Sequence, residues 1–357
     1  GIACVPGVTL AKSLGWQVLV TDHHLPGAQL PPADAIVNPN QPGCDFPSKA
    51  LAGVGVMFYV LMALRAQLRD AGAFADGQVP DLGVLLDLVA VGTVADLVPL
   101  DANNRALVAA GLRRLRAGQG SVGLQALIGT SGRQTAKLTA SDIGFALGPR
   151  INAAGRLEDM ALGIELLLTD NPAQAAAIAQ TLEEINSERR AVQQEMTDQA
   201  QAAVAGAQAM DLSLRPIAAC LFDAQWHPGV IGLVASKMKD QLYRPVIAFA
   251  PSEPGSTQLR GSARSIPGFH IRDALDAVAA RHPQLISKFG GHAMAAGLSL
   301  PQANFGAFAA AFDAEVRRQL CEDDLTGRLL CAGALAVEEF HLELARDKAE
   351  GVIKVIR

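Results

Sequence analysis

The sequence predicts an α/β protein in two lobes: a doubly wound parallel sheet first, joined by a long helix to a second α/β domain. Three observations predict this. Short Val- and Ile-rich runs alternate with helix-like stretches over residues 1–165, as parallel strands alternate with crossover helices. The same alternation returns over 213–325. Between them, 166–212 holds an alanine- and glutamine-rich segment of strong helix propensity. With 357 residues, half of them hydrophobic, the chain can bury more than one core.

Taken in order, "VTLAKSLG" predicts a short helix closed by Gly15, and "WQVLVT" a strand covered on both faces. "ADAIVN" predicts a second strand. "LAGVGVMFYVLMALRAQLRDAG" predicts an apolar helix ending at Gly72, and "DLGVLLDLVAVGTVADLVPL" another helix-to-turn segment closed by Pro99. In the connecting segment Ile178, Leu182, Ile185, Val192 and Met196 form one stripe at 4,3 spacing. A surface helix packed on its own domains explains it, and so does a linker able to reach roughly 50 Å. In the second lobe "RPIAACLFD" and "RPVIAFAP" predict strands, "GVIGLVASKMKDQL" and "FHIRDALDAVAARHP" helices, and "TQLRGSARS" an edge-like strand. "FGGHAMAAGLSL" predicts a glycine-rich loop entering apolar chain. A cleft between the lobes is the expected place for a substrate.

The net charge of −5 argues against a globally basic nucleic-acid binder but leaves room for a local basic groove. Charged residues interrupt every apolar run before it could span a bilayer, so no membrane association is expected, and no secretory signal opens the chain. Five cysteines without CxxC spacing predict reduced thiols in a cytoplasmic protein and argue against a zinc site. The chain opens without Met, apparently inside a structural unit, and ends without a cap, which predicts a fragment of something longer.

Five constellations carry chemistry. Asp22-His23-His24 ends the strand "VLVT", where an aspartate and two imidazoles suit manganese, iron or zinc. Adjacent residues point to opposite sides, so one histidine as ligand and the other facing substrate is expected, with Pro26-Gly27 supplying the turn. Surface histidines are the plain alternative. Asp96 lies in an apolar run, where a carboxylate must be paired, capping or metal-bound; a helix N-cap is the structural alternative, and Asp87 is a weaker candidate. Arg150, Asn152 and Arg156 stand among small residues that would let a phosphate approach, or they pair with Glu158 or Asp159. Arg260, Ser262 and Arg264 alternate on one strand face, as an anion site or a solvated face would. In "SKFGGHAMAAG", Lys288, Gly290, Gly291 and His292 could cradle a phosphate or make a tight turn. One metal-type site and several phosphate-type sites imply metal-assisted phosphoester hydrolysis, with arginines neutralising the developing charge.

These blocks resemble the DHH phosphoesterase superfamily and, within it, its RecJ branch of single-stranded-DNA-specific exonucleases. "LVTDHHLPG", "VGTVADLVPLDANNR", "GFALGPRINAAGRLEDM", "WHPGVIGLVASKMKDQLYRPVIAFA", "GSARSIPGFHIRDAL" and "KFGGHAMAAGL" occur in the family's order, across roughly residues 1 to 345. The resemblance implies a DHH domain over 1–165, a connecting helix over 166–212, a DHH-associated substrate-binding domain over 213–325 and the start of an oligonucleotide-binding region over 326–357. It implies two manganese or magnesium ions, with His23 and Asp96 as ligands, Asp22 in support and His24 facing the scissile phosphate. It further implies that Ser262 and Arg264 bind the 5′ end phosphate, that Arg156 contacts substrate, and that Gly290, Gly291 and His292 form the substrate loop. His227 in "WHPGV" matches a family histidine of structural or substrate-side role. The family's upstream Asp-x-Asp and its next aspartate are absent, so the two-ion set is expected to be incomplete in this chain and its activity impaired.

The expected function is 5′→3′ hydrolysis of single-stranded DNA in repair and recombination, with a single-strand-binding protein or a helicase as candidate partners. Two alternatives remain: another DHH phosphoesterase acting on short oligonucleotides or cyclic dinucleotides, and a non-catalytic nucleic-acid-binding scaffold.

Overall fold

The computed structural model describes residues 1–74, 78–208, 216–327, 336–339 and 341–344. Most of 326–357, including Cys331, therefore lies outside the described residues. The chain divides into two compact units, Gly1–Ala191 and Val192–Arg357.

In the first unit, helix α1 (Val5–Ser13) stops where Gly15 turns at φ +80° and leads into β1 (Leu19–Thr21). β1 pairs in parallel with β2 (Ala35–Val37), Val20 opposite Ile36. Helices follow: α2 (Gly53–Asp70), α3 (Leu86–Ala95) after a 3₁₀ turn, α4 (Ala102–Arg116), α5 (Val122–Thr130) and the single turn α6 (Ala140–Asp142). A π-helical stretch, Ile143–Leu147, then runs into α7 (Gly148–Leu157), followed by α8 (Ala161–Leu168). The α/β class holds, but the parallel sheet of this unit has two strands among the described residues, and the rest is helical. The apolar runs after Val37 bury a helical stripe instead of a strand face. β1 is not covered on both faces either: Val20 is buried while Leu19 is 56% exposed.

Helix α3 is almost wholly apolar because it is packed on several sides. A Cβ on Gly92 would lie 2.5 Å from Val54 of α2, and one on Gly111 of α4 would lie 2.1 Å from the Leu86 carbonyl oxygen. Both glycines are therefore required for close approach. Asp87 is fully buried but satisfied: its carboxylate accepts from the Ser121 and Leu88 amides at 2.6 and 2.8 Å. Its role is structural.

Helix α9 (Pro172–Gln208) contains the unit boundary. Ile178, Leu182, Ile185 and Met196 of its predicted stripe are buried, with Ala175, Ala179 and Ala200 beside them.

The second unit is a five-stranded mixed sheet ordered β3-β4-β5-β7-β6. Its elements are β3 (Ala219–Phe222), α10 (Ile231–Leu242), β4 (Val246–Pro251), β5 (Gln258–Arg264), α11 (Ile271–Arg281), β6 (Lys288–Gly291), β7 (Ala295–Pro301) and α12 (Phe305–Gln319). Two expectations are corrected here. "TQLRGSARS" is the central strand, not an edge. Its alternate Leu259, Gly261 and Ala263 are buried, and only the Arg260-Ser262-Arg264 face carries the polarity that reads as an edge. "FGGH" is not simply a loop: Gly290 and Gly291 belong to the edge strand β6, and His292 begins the tight connection to β7. Gly291 has φ +148°, and a Cβ there would lie 2.4 Å from the Ala295 carbonyl.

The core under this sheet joins Ile247, Phe249, Leu259, Leu298 and Leu300 to Phe308, Phe312 and Val316 of α12. Beside it Glu315 is fully buried and bonded to Arg281, Arg318 and Gln319. The bond from Arg318, opposed by burial and aided by Arg281 and Gln319, lowers its pKa from 4.5 to about 2. A depressed carboxyl pKa stabilises above the unfolded value and loses that contribution as pH falls through the folded one. Unfolding by urea should therefore show a stability loss of order 2 kcal/mol between pH 4.5 and 2, discounted for the half-exposed arginines. Glu315→Gln should flatten that acid limb.

Candidate active site

The end of β1 is turned by Asp22 itself and not by Pro26-Gly27. Its Oδ1 accepts from the His23 amide at 2.7 Å and the His24 amide at 3.0 Å, folding the chain back as Asx turns do. The same oxygen accepts from the His24 Nδ1 at 2.7 Å, and Oδ2 accepts from the Ile2 amide at 2.5 Å. Burial raises this carboxyl's pKa, but the bonds from His24, Ile2 and His23 outweigh it and hold the group far below the usual carboxylate range. An ionised Asp22 only accepts, so His24 carries its proton on Nδ1 and turns Nε2 outward. The His24 side chain is 62% exposed and that of His23 only 17%. The two rings lie 4.3 Å apart and tilted by 52°.

His23 reaches α3. Its Nε2 is 3.3 Å from Asp96 Oδ2, and a Cβ on Gly53, at the start of α2, would be 3.7 Å from its ring. The tight α2–α3 packing at Gly92 thus brings two sequence-distant groups together. Asp96 is the C-cap of α3, not an N-cap. A carboxylate beside helix carbonyls opposes the macrodipole by about 0.3–1 kcal/mol, so this position is unfavourable unless a cation joins it. Leu97 follows with φ +59°, left-handed backbone in a non-glycine residue, and 85% exposure of an apolar side chain. Local strain and an exposed Leu beside an unfavourably placed carboxylate are features that cluster at functional sites.

The donor set fits a divalent ion. In octahedral coordination with bonds near 2.1 Å, neighbouring ligand atoms stand about 3 Å apart, so His23 Nε2 and Asp96 Oδ2 are spaced to share one ion. Asp22, His23 and His24 also offer ligand atoms within 4.8 Å of one another. The oxygens of Asp22 are already engaged, which suits an orienting group better than a ligand.

Sequence reading missed two residues here, Asn38 and Asn40. The Asn38 amide donates to the His24 carbonyl at 2.8 Å and that of Asn40 to the His23 carbonyl at 2.6 Å, so the loop after β2 fixes the turn after β1. The two asparagines flanking a proline after a strand were the available signal. Asn38 is 2% exposed, and Asn38→Ala would remove its part-buried bond to the His24 carbonyl. Thermal melts should show a loss of about 1–2 kcal/mol.

The arginines of α7 separate. Arg150 is buried, pairs with Glu183 of α9 and donates to the Ala146 carbonyl at 2.7 Å. Neither Glu158 nor Asp159 is its partner. Asn152 is exposed, and Arg156 lies one turn beyond it on the same helix face as Gly148, whose Cβ would sit 3.5 Å from Ala95. Burial lowers the pKa of Arg156; burial and the charges of Arg156 and Arg190 lower that of Arg189.

In the second unit Ser262 and Arg264 share a face, Arg264 Nη1 donating to Ser262 Oγ at 3.1 Å. A Cβ on Gly232, the second residue of α10, would lie 3.0 Å from both Ser262 Oγ and Arg264 Nη2. The pair therefore meets a helix N-terminus, whose free amides favour anions. Gly290 lies directly opposite Gly297, and the His292 amide donates to the Ala295 carbonyl at 2.8 Å. His227 accepts from the Gly229 amide at 3.1 Å, a turn-forming role just before α10.

These elements match two families: the N-terminal domain of the DHH family over residues 1–93, with Asp96 just beyond, and the DHHA1 domain over 215–318. The chain is 49% identical over 348 residues to the single-stranded-DNA-specific exonuclease RecJ of Salmonella typhimurium, covering 97% of this chain and 60% of that one. It resembles the structure of RecJ in complex with Mn2+ from Thermus thermophilus with TM-score 0.74 and 34% identity, over 89% of this chain and 44% of that one. A second structure, of exonuclease RecJ bound to manganese, matches with TM-score 0.70 and 34% identity over 89% of this chain and 74% of that one. A DHH domain followed by DHHA1 defines the class. Within it, the chain belongs to the RecJ family, and it spans about 60% of the length of the Salmonella relative.

Proposed function

We propose that this protein hydrolyses phosphodiester bonds of single-stranded DNA from a 5′ end, using Mn2+ or Mg2+, in DNA repair and recombination. The 3.3 Å approach of His23 to Asp96, a carboxylate set against its own helix dipole, carries this reading. The RecJ relatives, whose structures are described with Mn2+ or Mg2+, support it. Residues 1–165 supply the ion-holding set, 213–325 the substrate-holding set, 166–212 connect them, and 326–357 begin an oligonucleotide-binding region.

Each residue has a part. His23 and Asp96 hold the cation, which when bound polarises a phosphoryl oxygen and makes water more acidic. Asp22 fixes the tautomer and orientation of His24, whose exposed ring faces the scissile phosphate. Ser262, Arg264 and the start of α10 hold the terminal 5′ phosphate, and Arg156 neutralises charge on the strand. Gly290, Gly291 and His292 let the substrate come close to backbone. Single-stranded DNA is the partner, with a single-strand-binding protein or a helicase as candidates. A cytoplasmic site of action agrees with the free state of the four cysteines among the described residues; no helix among those residues is long and apolar enough to cross a membrane.

The test is release of mononucleotides from 5′-phosphorylated single strands, with Mn2+ and after exhaustive chelation. Activity is expected only with the ion, and on strands in preference to duplex. Undiminished activity after chelation would overturn the reading, and cleavage confined to dinucleotides would move it to another DHH phosphoesterase.

A further inference from the structure

The two groups that hold the cation come from segments far apart in sequence, and a chain of side-chain amides joins their backbones. It begins at His23. The Asn40 side-chain amide donates one hydrogen to the His23 carbonyl at 2.6 Å and the other to the Lys49 carbonyl at 3.2 Å. The next carbonyl along, that of Ala50, accepts from the Asn104 side-chain amide at 2.7 Å. The second hydrogen of that amide goes to the Pro99 carbonyl at 2.9 Å. Pro99 lies in the short segment that leaves α3 through Asp96 and the left-handed Leu97. Two asparagines and two adjacent carbonyls thus run from the backbone of His23 to that of the Asp96 segment.

The capping of α4 does not account for Asn104. It is the third residue of that helix, where its backbone amide already donates to the N-cap Asp101 at 2.8 Å. Its side chain is fully buried, and its Oδ1 has no hydrogen-bond partner among the described residues. A buried oxygen left unpaired costs stability, so the side chain is placed for its two donations. The orientation of both amides follows from their neighbours, because a carbonyl only accepts. Ser48 Oγ donates to Asp101 Oδ2 at 2.7 Å and braces the same crossing between the loop before α2 and the start of α4.

We propose that Asn40 and Asn104 are positioning residues, acting in series as a strut that sets the spacing of His23 and Asp96 for one divalent ion. This rests on the reading above and deepens it. Ligand atoms already at coordination spacing need no rearrangement when the ion arrives, and supports of this kind are worth about 10- to 100-fold in metal affinity.

Mn2+ binding followed by electron paramagnetic resonance, with no nucleic acid present, tests it. The proteins compared are the wild type, Asn40→Ala, Asn104→Ala, the double variant and Asp87→Asn. Asp87 is as buried as Asn104 and holds the other end of α3, so its variant shows what lost stability alone does. Each asparagine variant should bind Mn2+ about 10-fold or more weakly, and Asp87→Asn as tightly as the wild type. Links in series fail together, so the double variant should lose little more than the weaker-binding single variant. A second measurement does not depend on the fold surviving Asn104→Ala: in the wild type, Mg2+ should slow amide exchange over 48–52 and 97–101 as well as at the ligands. Unchanged Mn2+ affinity in the asparagine variants overturns the proposal, as does an equal loss in Asp87→Asn. Losses that multiply in the double variant, or exchange slowed only at 22–24 and 96, also overturn it. A wild type that binds no Mn2+ overturns the functional reading itself.

Discussion

Asp96→Asn should abolish metal-dependent cleavage while leaving the protein as stable as the wild type or slightly more so. The two effects have opposite signs for one physical reason. Asp96 ends α3, where its negative charge adds to that of the free carbonyls; removing it relieves about 0.3–1 kcal/mol. The same charge is what a cation beside His23 needs. Loss of a direct anionic ligand should lower turnover by at least about 10³-fold, equivalent to about 4 kcal/mol of transition-state stabilisation. A purely structural aspartate would give the reverse, a loss of stability with activity following it. Thermal melts and single-strand degradation on the same preparation separate the two.

Arg264→Ala carries the second large effect. Arg264 already donates to Ser262 Oγ and the Ala263 carbonyl, at 3.1 and 2.8 Å, so its fork is held before substrate arrives. A pre-positioned guanidinium on a phosphate is a charge-assisted contact of about 1.5–3 kcal/mol. The variant should bind 5′-phosphorylated strands some 10- to 100-fold more weakly and lose its preference over 5′-hydroxyl strands. Ser262→Ala should move in the same direction by less. The measured quantity is the affinity ratio of the two strand types; an unchanged ratio would separate this pair from the phosphate.

The parts of this site that were legible in the sequence are those that follow a local rule. Asp22-His23-His24 stood out because polar residues end an apolar strand. Arg260, Ser262 and Arg264 stood out because a strand alternates, and the structure puts all three on one face. The position of that strand was not legible: a polar face at a ligand site and a polar edge give the same pattern, and only pairing with both β4 and β7 distinguishes them. Asp96 was visible as an oddity in an apolar run, but its place at a helix end depends on where α3 stops. That stop is set by Leu97 in left-handed backbone, without the glycine that usually signals it. Arg150 and Arg156 read alike among small neighbours. Their separation needs α9, because Glu183 takes the first into a buried pair 33 positions away in sequence. Asn38 and Asn40 escaped because they act on the backbone of a turn that another strand delivers.

The central claim is that His23 and Asp96 share a divalent ion, and Mn2+ binding followed by electron paramagnetic resonance tests it most directly. Titrating Mn2+ into the wild type, His23→Ala and Asp96→Asn should show a bound ion in the first and an affinity at least about 10-fold lower in each variant. Equal Mn2+ affinity in all three proteins would contradict the account.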